Sequence, residues 1–266
     1  MGRTQSRVSP SASPSAFVSA SSVHSRRQGE SMKWFKQDRS GREQTERGRA
    51  DRQGDGSARE LSGVVKTGDA PPEAAPALLT AGGRTLQRAD GDSSQVVRLT
   101  TGTGPVILDI THRAGGRFVV DALDQRLHSE SQLVYTDGPF ACRALVNADD
   151  RPVRALRIQA DGPWTVEATE VSSAVTLDGH AHRDASDVLR YEGGPAIANL
   201  RYEGDARSDD GGYFLVDTFE PTGDGFVDEL ANHVGRWQGE APLTGPCLIY
   251  ARSDGPWSIG VEELAP

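Results

Sequence analysis

The feature that most constrains this chain is a tetrapeptide that occurs twice. Asp161-Gly162-Pro163-Trp164 returns as Asp254-Gly255-Pro256-Trp257, 93 residues later. Further matches keep the same order. Val96-Val97-Arg98-Leu99 aligns with Val188-Leu189-Arg190-Tyr191, and Gly116-Arg117-Phe118-Val119-Val120-Asp121 with Gly212-Tyr213-Phe214-Leu215-Val216-Asp217. Leu133 falls against Leu230, and Gly138-Pro139-Phe140 against Gly235-Arg236-Trp237. The offsets run from 92 to 97, which one insertion within residues 204–211 and one deletion within 147–153 explain. The pattern reads as one unit written twice, over residues 91–171 and 187–264, joined by a linker at 172–186. A period near 93 exceeds the roughly 20–50 residues of a solenoid repeat. It suits a small domain that holds its own core.

Each copy reads as about six short strands. In the first these are VVRL, PVILDITH, RFVVDAL, QLVY, VRALRIQA and WTVEATEV; in the second VLRY, AIANLRY, YFLVDTF, DELANHV, CLIYAR and WSIGVEEL. Alternation sends Val106, Leu108 and Ile110 to one face and Ile107, Asp109 and Thr111 to the other. Gly, Pro, Asp and Asn gather between the runs, as turns require. No long apolar stripe of helical period separates the strands, so parallel βαβ units are not expected. The fold class expected is all-β: two tandem antiparallel β-sandwich or small-barrel domains after a disordered N-terminal region. In that frame the repeated tetrapeptide is a turn that delivers a Trp to the core. Asp-Gly turns the chain, Pro fixes φ, and Trp opens the last strand. The competing reading is an exposed Trp platform for sugars.

Charge is unevenly spread. Residues 1–60 hold 12 Lys/Arg and 7 Asp/Glu, whereas residues 61–266 hold 17 and 31. Phosphate backbones are bound by Lys/Arg neutralisation, so an acidic folded part predicts no nucleic-acid partner. No apolar run approaches the ~18 residues of a transmembrane helix. Residues 1–31 are Ser- and Arg-rich with one acid, which reads as a disordered tail or an upstream start, with translation beginning at Met32. A transit peptide shares that composition. Residues 32–90, charged and then rich in Pro and Ala, read as a disordered spacer. Two cysteines and no secretory signal point to the cytoplasm.

Several residues are candidates for chemistry. His180 and His182 sit in an H-x-H pattern flanked by Asp178 and Asp184; on a strand both rings face one side, as a metal site requires. Without a placed third ligand no metal is assigned. Asp205, Asp209 and Asp210 suggest calcium; Arg207 at the third position and Asp210 at the sixth rule out an EF-hand loop and leave only a looser site on loop carboxylates, against the simpler reading of an acidic hairpin insertion. Cys142 and Cys247 occupy unrelated places in the two copies and read as half-buried residues. The most binding-like cluster is His233, Arg236 and Trp237, since Trp and Arg concentrate at interface hot spots. No catalytic residues are assigned.

Residues 115–171 and 211–264 resemble a group of small bacterial β-sandwich domains of poorly defined function. The shared features are an F-V-V-x-x-L-D strand (residues 118–124), a Leu133-Val134 strand, a G-x-aromatic-x-G turn (residues 235–239) and the two D-G-x-W strands. The first copy departs from the pattern at Gly138-Pro139-Phe140-Ala141-Cys142, which lacks the second glycine. The resemblance implies a binding or accessory module and brings no catalytic residues. The expected function is a non-catalytic binding or structural module for a protein or glycan partner. Two alternatives stand beside it: a hydrolase-type enzyme with its site between the β-domains, and a subunit of a larger assembly tethered by the charged N-terminal segment.

Overall fold

The chain was described from a computed structural model, which covers residues 82–148 and 152–264. The expectations for residues 1–81, including the start at Met32 and the N-terminal tether, lie outside the described residues. Within them the protein is all-β, with seventeen strands and one three-residue 3-10 turn. No helix there is long and apolar enough to cross a membrane.

The first half contains β1 (Thr85–Gly91), β2 (Gln95–Arg98), β3 (Val106–His112), β4 (Arg117–Leu123), β5 (Ser129–Asp137), β6 (Phe140–Val146), β7 (Ala155–Ala160) and β8 (Trp164–Glu170). They pair as sheet I, in the order β1-β8-β3-β6, and sheet II, in the order β2-β7-β4-β5. The second half contains β9 (Val175–Thr176), β10 (His180–Arg183), β11 (Asp187–Tyr191), β12 (Ala196–Tyr202), β13 (Tyr213–Phe219), β14 (Phe226–Val234), β15 (Trp237–Leu243), β16 (Cys247–Ser253) and β17 (Trp257–Glu263). Sheet III runs β10-β17-β12-β15 and sheet IV runs β14-β13-β16-β11-β9. Apart from the short parallel strand β9, the two halves follow one order, in which two Greek keys interlock as an eight-stranded jelly roll.

Three expectations need correction. The first half has eight strands and the second nine, not about six each. The spacer drawn to residue 90 contains β1, and the linker drawn over residues 172–186 contains β9 and β10. Apart from β9, the missed strands are equivalent in the two halves: β1 and β6 in the first, β10 and β15 in the second. β1 and β10 are edge strands with mostly exposed or half-buried residues, so their apolar signal is thin. β6 is nearly buried on both faces, which erases alternation. β15 carries Gly239 and Pro242, which read as a turn; Pro is tolerated because β15 is an edge strand. The G-x-aromatic-x-G turn is accordingly shorter than expected, since Trp237 already belongs to β15.

Alternation builds two cores. Leu108, Ile110, Val166 and Ala168 of sheet I meet Phe118, Val120, Leu156 and Ile158 of sheet II. Ala198, Leu200 and Ile259 of sheet III meet Leu189, Phe214, Val216 and Ile249 of sheet IV. Each fully buried Leu, Ile, Val or Phe contributes about 1.5–3 kcal/mol of transfer free energy. The β4–β5 ladder shifts register after Val120 and after Ala122; the β13–β14 ladder does so after Val216 and after Thr218. Both tetrapeptide turns make the same clip. Asp161 Oδ2 accepts from Arg117 N–H at 3.1 Å, and Asp254 Oδ2 from Tyr213 N–H at 3.0 Å. Trp164 Nε1 donates to Ser93 O at 3.0 Å, and Trp257 Nε1 to Ala185 O at 2.8 Å.

The halves share a packed junction. On β16, Ile249 and Ala251 face their own core, while Leu248 and Tyr250 join the cluster of the first half, with Val188 and Phe219. They meet the outer face of sheet I, where Ile107 is fully buried and Leu145 nearly so. At its centre Arg143 is 1% exposed. Its Nε donates to Asp109 Oδ1 at 2.8 Å and its Nη2 to Ser173 O at 2.6 Å, while Nη1 lies 3.5 Å from Asp187 Oδ1. Burial raises the Asp109 carboxyl above its ordinary value, with Arg143 pulling the other way. Arg190 Nη2 donates to Val171 O at 2.8 Å. Gly223 closes the margin at φ +81°, where a Cβ would sit 2.8 Å from Pro105 Cβ.

Candidate functional site

His233 and Trp237 come together, and Arg236 does not join them. The His233 and Trp237 rings stack at 4.1 Å with planes 15° apart. Trp237 pairs with Tyr202 on the inner face of sheet III and lies 6.4 Å from the Phe214 ring. A Cβ on Gly239 would fall 2.3 Å from the indole, so the missing side chain lets the ring lie flat. Both rings are half-buried and close the gap between edge strands β14 and β15. Arg236 is exposed and turns to Glu203, Nε to the carbonyl at 3.4 Å and Nη2 to the carboxylate at 3.8 Å. The geometry of the pair is that of a core lid.

The other candidates fall into place locally. Trp164 and Trp257 are 2% and 0% exposed, so neither presents a face to a sugar. Asp205 Oδ1 accepts from Arg207 N–H and Nε–H at 2.9 and 3.1 Å. Asp210 Oδ1 accepts from Gly212 N–H at 3.1 Å and from the Ser208 hydroxyl. Those oxygens hold the loop together. Among the described residues no three His, Cys, Asp or Glu side chains are grouped to hold a metal ion. Both cysteines are buried. Burial pushes the Cys247 thiol up to about 11 and the Cys142 thiol higher still, with Asp187 and Asp109 adding to the latter. At the junction, the location assigned to a hydrolase site, packed side chains fill the space.

The surface that sequence reasoning missed is the outer face of sheet III. His180 and His182 are exposed on β10, opposite Gly260 and Ser258 of β17. Asn199 and Arg201 follow on β12, then Gln238 and Glu240 on β15. With Gly239 and Gly260 as a low floor, His180, Asn199, Arg201, Gln238 and Glu240 line an open groove of about 610 Å³. Only His180 contributes a ring to that lining. His182 Nε2 lies 3.6 Å from Asp184 and Arg201 Nε 2.6 Å from Glu203. The signal was present in β12, where buried Ala198, Leu200 and Tyr202 alternate with exposed Asn199 and Arg201. The other three strands of its sheet come from segments up to about sixty residues away, which local periodicity does not connect.

A second face with exposed side chains lies on sheet II, although Val119, Leu123 and Ala155 on the same face are buried. Val96 and Tyr135 are 52% and 49% exposed, and the Arg117 guanidinium sits 5.7 Å above the Tyr135 ring. Arg98 and Arg157 share this face, Arg157 Nη2 reaching Asp121 at 2.8 Å. No protein-family model matches the chain, and no curated protein matches it.

Proposed function

We propose that the chain is a non-catalytic protein-binding module whose recognition surface is the outer face of sheet III. One observation carries the reading. The equivalent face of sheet I is buried by the other half of the chain, whereas among the described residues the face of sheet III stands open and is lined by side chains able to donate and accept hydrogen bonds. Interfaces of non-obligate protein complexes are about as polar as ordinary surface and carry many hydrogen bonds, which such a face provides. The glycan alternative loses its main support because both tetrapeptide Trp rings are buried. The hydrolase alternative loses its location, since the junction is packed, and its thiols, which are buried with raised pKa values. The common strand order and the matching clips favour descent of the two halves from one copied unit. The resemblance to small bacterial β-sandwich domains agrees with an accessory binding role.

The test is site-specific photo-cross-linking in cells, with the probe at Asn199 or Gln238 and a control probe at exposed Arg113. The reading expects protein adducts from the two groove positions and none from the control. Absence of protein adducts from both groove positions would overturn it.

A further inference from the structure

We infer that the partner of this face is a second copy of the chain, and that copies join head to tail in the way the two halves join within one chain. The inference rests on the binding role proposed above and names its partner. Inside the chain, the outer face of sheet I packs on the outer face of sheet IV. Sheet III is the equivalent of sheet I, and sheet II of sheet IV. Among the described residues, the outer faces of sheets III and II are therefore the two with no partner sheet, one of each kind. Such a contact is heterologous, so it propagates into rings or open chains.

Register identifies what replaces each junction residue. Ile107 pairs with Leu145 and Thr169, and Ile197 with Pro242 and Glu262. Asp109 opposes Arg143, and Asn199 opposes Glu240. On the facing side Val188 opposes Tyr250 as Val96 opposes Arg157, and Arg190 opposes Leu248 as Arg98 opposes Ala155. The free faces thus keep the apolar pair Ile197 and Val96 where the junction has Ile107 and Val188. Arg98 stands where Arg190 bonds to the Val171 carbonyl.

The charges are complementary with reversed sign. Within the chain the buried cation, Arg143, is on sheet I beside its nearer partner Asp109, and its second partner, Asp187, is on β11 beside sheet IV's central strand. On the free faces the acids Glu240 and Glu262 are on sheet III beside Arg201, and the cations Arg98, Arg117 and Arg157 are on sheet II, where Arg157 meets Asp121 and Arg117 stands opposite Asp137. In the junction arrangement Glu240 takes the place of Arg143, and Arg157 takes that of Tyr250, which packs near Cys142 and Leu145 on β6. Complementary charge fixes register and speeds encounter. The reversal keeps a sheet III face from competing with the internal junction.

Sedimentation velocity of the full chain over roughly 1–300 μM, the range of weak association, tests this. Wild type is expected to form concentration-dependent larger species. Arg157→Glu and Glu240→Arg each weaken association by about tenfold or more, the effect of truncating or reversing a close charge pair. A one-to-one mixture of the two variants recovers it, because each carries the face the other lacks. Arg98→Glu, at an exposed position, provides a second sheet II variant if Arg157→Glu fails to fold. A wild-type monomer throughout the range overturns the inference, as does association insensitive to either face. A monomer that still gives adducts with a different protein at Asn199 overturns this inference alone and leaves the binding role standing.

Discussion

Replacing Arg143 by Met removes the cation paired with Asp109 in the junction while nearly preserving side-chain volume. Arg143 is 1% exposed and meets Asp109 at 2.8 Å and Asp187 at 3.5 Å. Asp187 retains Arg183, whose Nε lies 2.6 Å from its Oδ2; Asp109 is left uncompensated. Removing one partner of a buried ion pair costs about 3–5 kcal/mol, mostly from the charge left behind. The pH dependence identifies the cause. Burial already holds the Asp109 carboxyl above its ordinary value, and Arg143 opposes that rise; in Arg143→Met it climbs further. A carboxyl raised in the folded state takes up protons more readily folded than unfolded. Its favourable contribution is complete below the ordinary value and is lost as pH rises through the folded value. The deficit of Arg143→Met should therefore be full at neutral pH and shrink as pH falls toward about 4, the ordinary carboxyl value. Urea denaturation from pH 4 to 8, with far-UV circular dichroism and Trp fluorescence as probes, reads both quantities. A loss below about 1 kcal/mol at neutral pH, or a deficit independent of pH, would refute the assignment of a buried charge cluster to the junction.

Trp164→Ala and Trp257→Ala should each cost about 3–5 kcal/mol, because both indoles are buried and donate to a carbonyl; a denaturant midpoint unchanged in either contradicts the clip. Gly223→Ala should destabilise by about 1–3 kcal/mol, since φ is +81° and Pro105 blocks a Cβ, and a thermal melt identical to wild type would disprove that packing. Burial also raises the Asp217 carboxyl, with Arg252 opposing, so Asp217 makes stability fall as pH rises above about 4. Asp217→Asn should tilt the stability-versus-pH slope upward, and parallel curves would count against it. Cys247, with its thiol pushed up to about 11, holds thiolate more than about a hundredfold scarcer at neutral pH than a free cysteine. Native protein should therefore resist a thiol reagent until denaturant is added, and rapid native labelling of Cys142 or Cys247 would show the core to be open.

The fold class was legible because interior strands such as β3 obey one rule. In β3, Val106, Leu108 and Ile110 face inward with regular spacing, and the class follows from such runs. The strands at the sheet edges were not legible, because an edge position relaxes the pattern. His180–Arg183 has one buried residue, Ala181, and Pro242 sits inside a strand only because that strand pairs on one side. The tetrapeptide's role was readable from turn chemistry. The candidate site was half readable. His233 and Trp237 do meet, but whether an indole points in or out depends on register with Tyr202, and register is decided by partners distant in sequence. The sheet III face needed four strands to be assembled before its polar positions lay side by side.

In each half the last strand made lies inside its sheet. β8 sits between β1 and β3, and β17 between β10 and β12. A growing chain therefore holds two unpaired strand margins apart until the final seven residues of the half emerge to fill the slot. Closure is all non-local, a topology that folds slowly, and the open slot exposes backbone that other chains can pair with. A nascent chain stalled before residue 164 would carry that vacancy, so the interval in which β8 is synthesised is the moment at which chaperone protection matters most.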